Sequence, residues 1–243
     1  MPAPTLSSLL SLLPSTSLTQ RSTASCDING LSALTKRYPP TGVQFSEVLR
    51  SGLTYRWSIL GQEYGNGQYV AQASDVYKPG TVEEWPANAA FDHQKGASHK
   101  KSGWHVTGFG KSDSWLTLEL PEPIRLDYYT ISSRSDCDND CAKQQSPTSW
   151  DLFCVEDPGF FLDTRTGQSF GANECRIYPA KTRNGTPCKT FKWRGRFVSM
   201  SELALYGIPF KPPTTGYPSP KPSTLNLNVN TNPNPNPKPE PYT

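Results

Sequence analysis

The chain has 243 residues, 24 prolines and a formal net charge of +3, from 24 basic and 21 acidic side chains. So near a balance excludes the concentrated basic face that nucleic-acid binding normally needs. The uneven prolines leave a foldable part shorter than the whole, and one domain of about 140–150 residues with extensions can bury a stable core.

Residues 1–66 come first in the chain and read as an N-terminal extension or arm. Leu6, Leu9, Leu10, Leu12 and Leu13 give one or two helical turns, too short to stand alone. Met1–Gln20 lacks a basic leading segment and Pro14 cuts its apolar run, so it does not read as a cleaved secretory signal. A protein of this kind acting outside a cell would leave by lysis or assembly. No stretch reaches the roughly 20 apolar residues of a membrane-spanning helix. Val43-Gln44-Phe45 and Leu53–Ile59 alternate in part, predicting short strands or an extended arm, and Tyr64-Gly65-Asn66-Gly67 signals a turn.

Between 67 and 210 the period is two. Leu116, Leu118 and Leu120 alternate with Trp115, Thr117 and Glu119, as in a strand with one face in a core, and Pro121 and Pro123 are expected to close it. Trp150, Leu152 and Cys154 repeat the pattern, as do Leu203 and Leu205. Turn-rich segments at Asp157-Pro158-Gly159, Arg165-Thr166-Gly167 and Asn184-Gly185-Thr186 separate these runs, and many short strands so spaced predict an all-β sandwich. Asn184-Gly185-Thr186 is also a glycosylation sequon. Residues 211–243, with Pro218 to Pro222 and alternating Asn-Pro, predict an extended, semi-stiff tail.

Six cysteines permit disulfides and hence an oxidising compartment, but spacing assigns no pairs. Cys137 and Cys141 bracket a short polar loop and are the expected pair. No Cys-x-x-Cys occurs, which argues against zinc-ribbon and thioredoxin-like chemistry. His93, His99 and His105 lie six apart in loop-rich sequence, without the fixed geometry a metal needs. Asp136, Asp138 and Asp140 mimic the start of a helix-loop-helix calcium loop. Its sixth position is Cys141 rather than Gly and its twelfth is Pro147 rather than Glu, so that loop is rejected. Gly108 to Ser112 lacks the leading glycine of a phosphate loop, since His105 stands there. No nucleophile or metalloprotease signature is present, and pairs such as Glu83 with Glu84 arise by chance in any chain of this length. The chain is therefore not expected to be an enzyme. The basic stretch Lys95, Lys100, Lys101 and Lys111 reads as a solvated loop.

Several short motifs occur in a set order: Tyr69-Val70-Ala71 with Ser74, Trp85–Asp92, Trp104, Ser114–Leu120, Ser146–Leu152 and Glu202–Gly207. Together they resemble the discoidin, or coagulation-factor type C, domain, whose jelly-roll sandwich is shared with galactose-binding and carbohydrate-binding modules. The resemblance spans about 140 residues. It implies a jelly-roll β-sandwich and a binder without chemistry of its own. It implies that Trp104, Trp115 and Trp150 are core. It also implies a structural calcium held by Asp92 and Glu202, both hard oxygen ligands. Against that, Asp92-His93-Gln94 replaces the usual Asp-Gly-Asn, and the plainer reading has Asp92 capping a turn and Glu202 in a salt bridge. Ligands of such modules bind at one rim, here the loops Asp75–Asn88, Lys95–Ser114 and Arg134–Ser149. Sugars present both C–H and hydroxyl surfaces, so Tyr77, Trp85, His105, Phe109 and Arg134 are the candidates, although Arg134 matches an arginine that is often structural.

The expectation is a non-enzymatic surface-binding protein that recognises a glycan or glycoconjugate surface, with arms attaching it to other subunits of an assembly. The alternative is an architectural subunit, such as a minor capsid or virion surface protein of a large DNA virus, suggested by the composition of the tail. Either reading places the protein extracellularly or on a virion surface.

Overall fold

Alternation of apolar and polar residues places most of the strands. The computed structural model describes residues 22–23, 26, 32–41, 49–51, 53–77, 85–93, 103–107, 113–136, 138–181, 186–196 and 199–210. Expectations about the leucine-bearing start, Val43–Phe45, Glu83 and Glu84, the lysines at 95, 100, 101 and 111, His99, Phe109, Cys137, the 184–185 turn and the 211–243 tail fall outside those residues. Among the described residues no helix is long and apolar enough to cross a membrane.

The strands in chain order are β1 (Ser22–Thr23), β2 (Lys36–Tyr38), β3 (Leu49–Ser51), β4 (Thr54–Ile59), β5 (Gly67–Ala73), β6 (Trp104–His105) and β7 (Ser114–Ser132). They continue as β8 (Trp150–Cys154), β9 (Asp157–Arg165), β10 (Glu174–Pro179), β11 (Cys188–Gly195), β12 (Ser199–Met200) and β13 (Glu202–Pro209). A 3-10 turn covers Ala87–Phe91, and helix α1 covers Asn139–Gln145. Every pairing is antiparallel.

One strand joins the two layers. The first half of β7, Ser114–Leu120, pairs with β5 and β11, extending a layer ordered β3-β4-β5-β7-β11-β8-β9. Its second half, from Ile124, pairs with β10 and β13, and β13 pairs in turn with β2. Pro121 and Pro123 therefore do not end the strand. They sit where it passes from one layer to the other, and the β11 register jumps from Glu119 to Ile124 there. Proline is tolerated at such a point because no ladder bond is lost by its missing N–H.

Leu116, Leu118 and Leu120 are buried in the core, as are Trp150, Leu152, Cys154, Leu203 and Leu205. Trp104 and Trp150 are core residues too, each within about 6 Å of the Trp193 ring, at 6.1 and 6.3 Å. Trp115 is not core. Strict alternation turns it outward, opposite Leu116, where the Lys192 ammonium lies 4.5 Å from its ring centroid. Of the two readings for residues 54–59, the strand holds: Tyr55, Trp57 and Ile59 are buried and β4 pairs with β5.

A polar network ties the layers together. Trp150 Nε1 donates to the Tyr129 hydroxyl at 2.7 Å, and that hydroxyl donates to Asp163 Oδ2 at 2.7 Å. Arg165 Nε donates to the same carboxylate oxygen at 2.7 Å, and its guanidinium lies 5.0 Å from the Tyr178 ring centroid. Burial and the adjacent Asp163 carboxylate push the Tyr129 phenol far up, so it stays a donor at any ordinary pH.

The disulfides are Cys26–Cys175 and Cys154–Cys188, with Cα separations of 5.6 and 5.7 Å. Cys141 is a free thiol, and Cys137, the other half of the expected pair, lies outside the described residues. The segment expected as an acidic loop is helix α1, whose N-cap Asp138 accepts the Cys141 amide at 2.8 Å. That cap orders the turn, and the two bridges join cysteines 149 and 34 residues apart in sequence.

Candidate functional site

The row Ser114–Gly195–Trp150–Arg165 crosses four adjacent strands at one end of the first layer. Backbone bonds gather loops at the same end: Ser74 N–H donates to the Trp115 carbonyl at 2.9 Å, Tyr77 N–H to the His105 carbonyl at 2.7 Å, and Arg196 N–H to the Ser149 carbonyl at 3.1 Å. Trp104 Nε1 donates to the Asp75 carbonyl at 2.9 Å, and the Thr107 amide to Asp75 Oδ2 at 3.1 Å. This is the rim that the sequence motifs indicate.

Four of the five candidate ligand residues meet there. The Tyr77 and His105 rings are edge-to-face at 5.0 Å, and His105 lies 6.0 Å from Trp85. The Arg134 guanidinium sits 4.4 Å above the Trp85 ring. The fifth, Phe109, lies outside the described residues. Trp85 is only 5% exposed, so it serves as the floor under Arg134 and offers no open face for stacking. Arg134 is itself held: Nε and Nη2 donate to the two Asp136 carboxylate oxygens at 2.8 and 2.7 Å, and Nη1 to Gln145 Oε1 at 2.7 Å. Tyr77 and His105 are half-buried at the surface of this cluster.

The electrostatics follow from that packing. Burial, and next the positive Arg134, pull the His105 imidazole down from 6.5 to about 4, so the ring is neutral at physiological pH. A neutral imidazole offers one donor and one acceptor, and neither hydrogen bond has to overcome a charge. The hydrogen bond from Arg134 keeps the Asp136 carboxyl below its usual range, so the pair is ionised.

The two residues expected to hold calcium are differently employed. Glu202, 2% exposed, accepts from Arg37 Nη2 at 2.9 Å and from the His93 backbone amide at 3.1 Å, and His93 Nδ1 lies 3.4 Å from its other oxygen contact, Oε1. β2 beside β13, with Arg37 opposite Tyr206, delivers that guanidinium. A divalent cation does not fit this carboxylate as arranged, because the half-buried Arg37 guanidinium already supplies the positive charge and donates to Oε1. Asp92 closes the 3-10 turn as its C-cap, with His93 at φ 62° next to it.

No family model matches the chain, and no curated protein matches its sequence. Solved structures do. A family 32 carbohydrate-binding module of Clostridium perfringens NanJ, solved in complex with galactose, is 15% identical, covers 57% of this chain and 93% of its own, and has a TM-score of 0.41. The F5/8 type C domain of a Bacteroides fragilis protein is 13% identical over 58% of this chain and 93% of that one, with a TM-score of 0.42. A fucolectin from striped bass serum (Morone saxatilis) is 14% identical over 59% and 46%, with a TM-score of 0.44. They include the kind of domain that the sequence motifs resemble. At identities and scores this low they say nothing about what this chain binds, and the fold stands on its own strand pairing.

Two features escaped sequence reasoning. Arg37 lies in the extension read as an arm, and only strand order reveals it as the partner of Glu202. An open groove of about 470 Å³ lies beside the rim cluster, lined among others by Asp113, Asp151, Thr164, Arg194 and Arg196. The signal for it was present in the alternation of β8 and β11, where Asp151, Phe153, Lys192 and Arg194 all fall on the non-core phase. A second cavity beside Cys154–Cys188, of about 20 Å³, has room for about one water.

Proposed function

We propose that the protein is a non-enzymatic carbohydrate-binding module whose sugar contacts come from the rim cluster of Tyr77, His105 and the Arg134–Asp136 pair. The observation that carries this reading is the pre-assembly of that cluster. Arg134 is clamped between Asp136, Gln145 and the Trp85 face, and His105 is held against Tyr77. Fixed planar donors and acceptors beside an aromatic ring suit a pyranose, and prior fixation lowers the ordering cost of binding. Two disulfides support a setting in an oxidising, extracellular compartment.

A glycan array followed by titration calorimetry with the best ligand tests the reading. Tyr77→Ala and His105→Ala should each weaken binding about tenfold or more, equivalent to ~1.4 kcal/mol, with melting temperatures near the parent's. An array with no hits, or binding indifferent to both substitutions, would sink it.

A further inference from the structure

We infer that the outer face of the β7-β11-β8-β9 layer carries a second binding site, for an acidic oligosaccharide. In the outward row Trp115–Arg194–Asp151–Thr164, side chains stand on the solvent side of four neighbouring strands. Arg194 Nη2 donates to Asp151 Oδ2 at 3.0 Å, and the Thr164 hydroxyl donates to Oδ1 at 3.1 Å. The groove of about 470 Å³ opens over this row, within the roughly 300–1,000 Å³ of small-ligand sites.

Its charge is uneven. Arg165 is neutralised by Asp163 and Arg194 by Asp151, at 2.7 and 3.0 Å. Arg196, exposed, makes no ion pair with any described residue, and Lys192 adds a second cation with only the Trp115 ring beneath it. Arg196 lines the groove together with Asp113 and Asp151, and Lys192 stands two residues along β11 from Arg194. Directly along the same face, Phe153 pairs with Phe161 edge-to-face at 6.0 Å, with Phe161 41% exposed. The Arg194 guanidinium lies 5.7 Å from the Phe153 ring centroid, linking the polar groove to the aromatic pair.

Gly195 is on the core side of β11, in phase with buried Trp193. A Cβ at Gly195 would run into the Trp193 indole and come within 2.8 Å of the Ser149 carbonyl oxygen, so the strand passes there without a side chain. Backbone groups of the central strands are spent on pairing, so recognition falls to hydroxyl, carboxylate and guanidinium groups. That set suits sugar hydroxyls and a sugar carboxylate or sulfate better than a peptide strand, which needs unpaired backbone. An exposed phenyl ring one row away supplies a stacking face for the next sugar.

The inference is independent of the rim reading, because the two clusters share no side chain. Titration of the full chain with a tetragalacturonate, a sulfated heparin tetrasaccharide and neutral cellotetraose tests it. The acidic probes should bind and weaken with rising salt, cellotetraose should bind at least about tenfold less. Whichever acidic probe binds more tightly identifies the carboxylate or the sulfate as the preferred group. Arg196→Ala, an exposed substitution, and Phe161→Ala should each reduce acidic binding about tenfold, while Tyr77→Ala leaves it unchanged. Equal binding of cellotetraose, preference for a single-stranded oligonucleotide, or acidic binding that survives Arg196→Ala or falls with Tyr77→Ala would overturn it.

Discussion

At Glu202 a buried carboxylate meets a guanidinium from 165 residues earlier in the chain, and the charge balance of the site depends on it. Arg37→Met leaves that carboxylate buried and uncompensated, at a cost of ~3–5 kcal/mol. Urea unfolding should show the loss, whereas neither calcium nor a chelator should move the parent's midpoint. A chelator that lowers the parent's midpoint would show that the guanidinium is not the main counter-charge. His105 supplies a second residue-scale expectation. Its folded pKa is depressed, from 6.5 to about 4, so its contribution to stability is fully present above pH 6.5. It is lost as pH falls through that window, because the unfolded chain takes up the proton first. The full span corresponds to ~3 kcal/mol. Unfolding free energies measured at pH 7, 5.5 and 4 should fall for the parent and fall less for His105→Gln, and parallel slopes would refute the assignment.

Gly195 brings the same reasoning to whole strands. Gly195→Ala pushes a methyl into Trp193 and should cost ~1–3 kcal/mol by overpacking, detected as a lower melting temperature with unchanged far-ultraviolet dichroism. A neutral result would mean that β11 can shift away from Ser149. Strands whose side chains alternate cleanly were legible in the sequence: Leu116 to Leu120 and Trp150 to Cys154 face the core as expected. Tyr77, Trp85, His105 and Arg134, singled out from separate loops, come together in one cluster. What periodicity does not carry is which strand lies beside which. Arg37 reaches Glu202 only because β2 pairs with β13, and Cys154 meets Cys188 only because β8 pairs with β11. Proline misled in β7, because at the crossing between layers no ladder donor is required. Trp115 misled for the opposite reason: the strand's phase outranks a tryptophan's usual preference for burial. In α1 the readable signal was Asp138, an N-cap with helix-compatible residues after it.

For the molecule as a unit, Cys26–Cys175 fixes a residue ahead of β2 to strand β10 of the second layer, closing a loop of 149 residues. Removing a native bridge of this kind typically costs ~2–5 kcal/mol. Replacing both cysteines with serine should therefore lower the melting temperature, and reductant should narrow the gap between variant and parent. A variant as stable as the parent would show that the crosslink closes no order-sensitive part of the chain.

The continuous passage of β7 through both layers also decides where recognition can take place. Sheets bound together by a common ribbon have a seam but no hinge, so they cannot part like jaws around a guest. Admitting one between them would mean tearing the ribbon at its bend. Among the described residues, recognition then falls to the outer faces and the ends of the two layers.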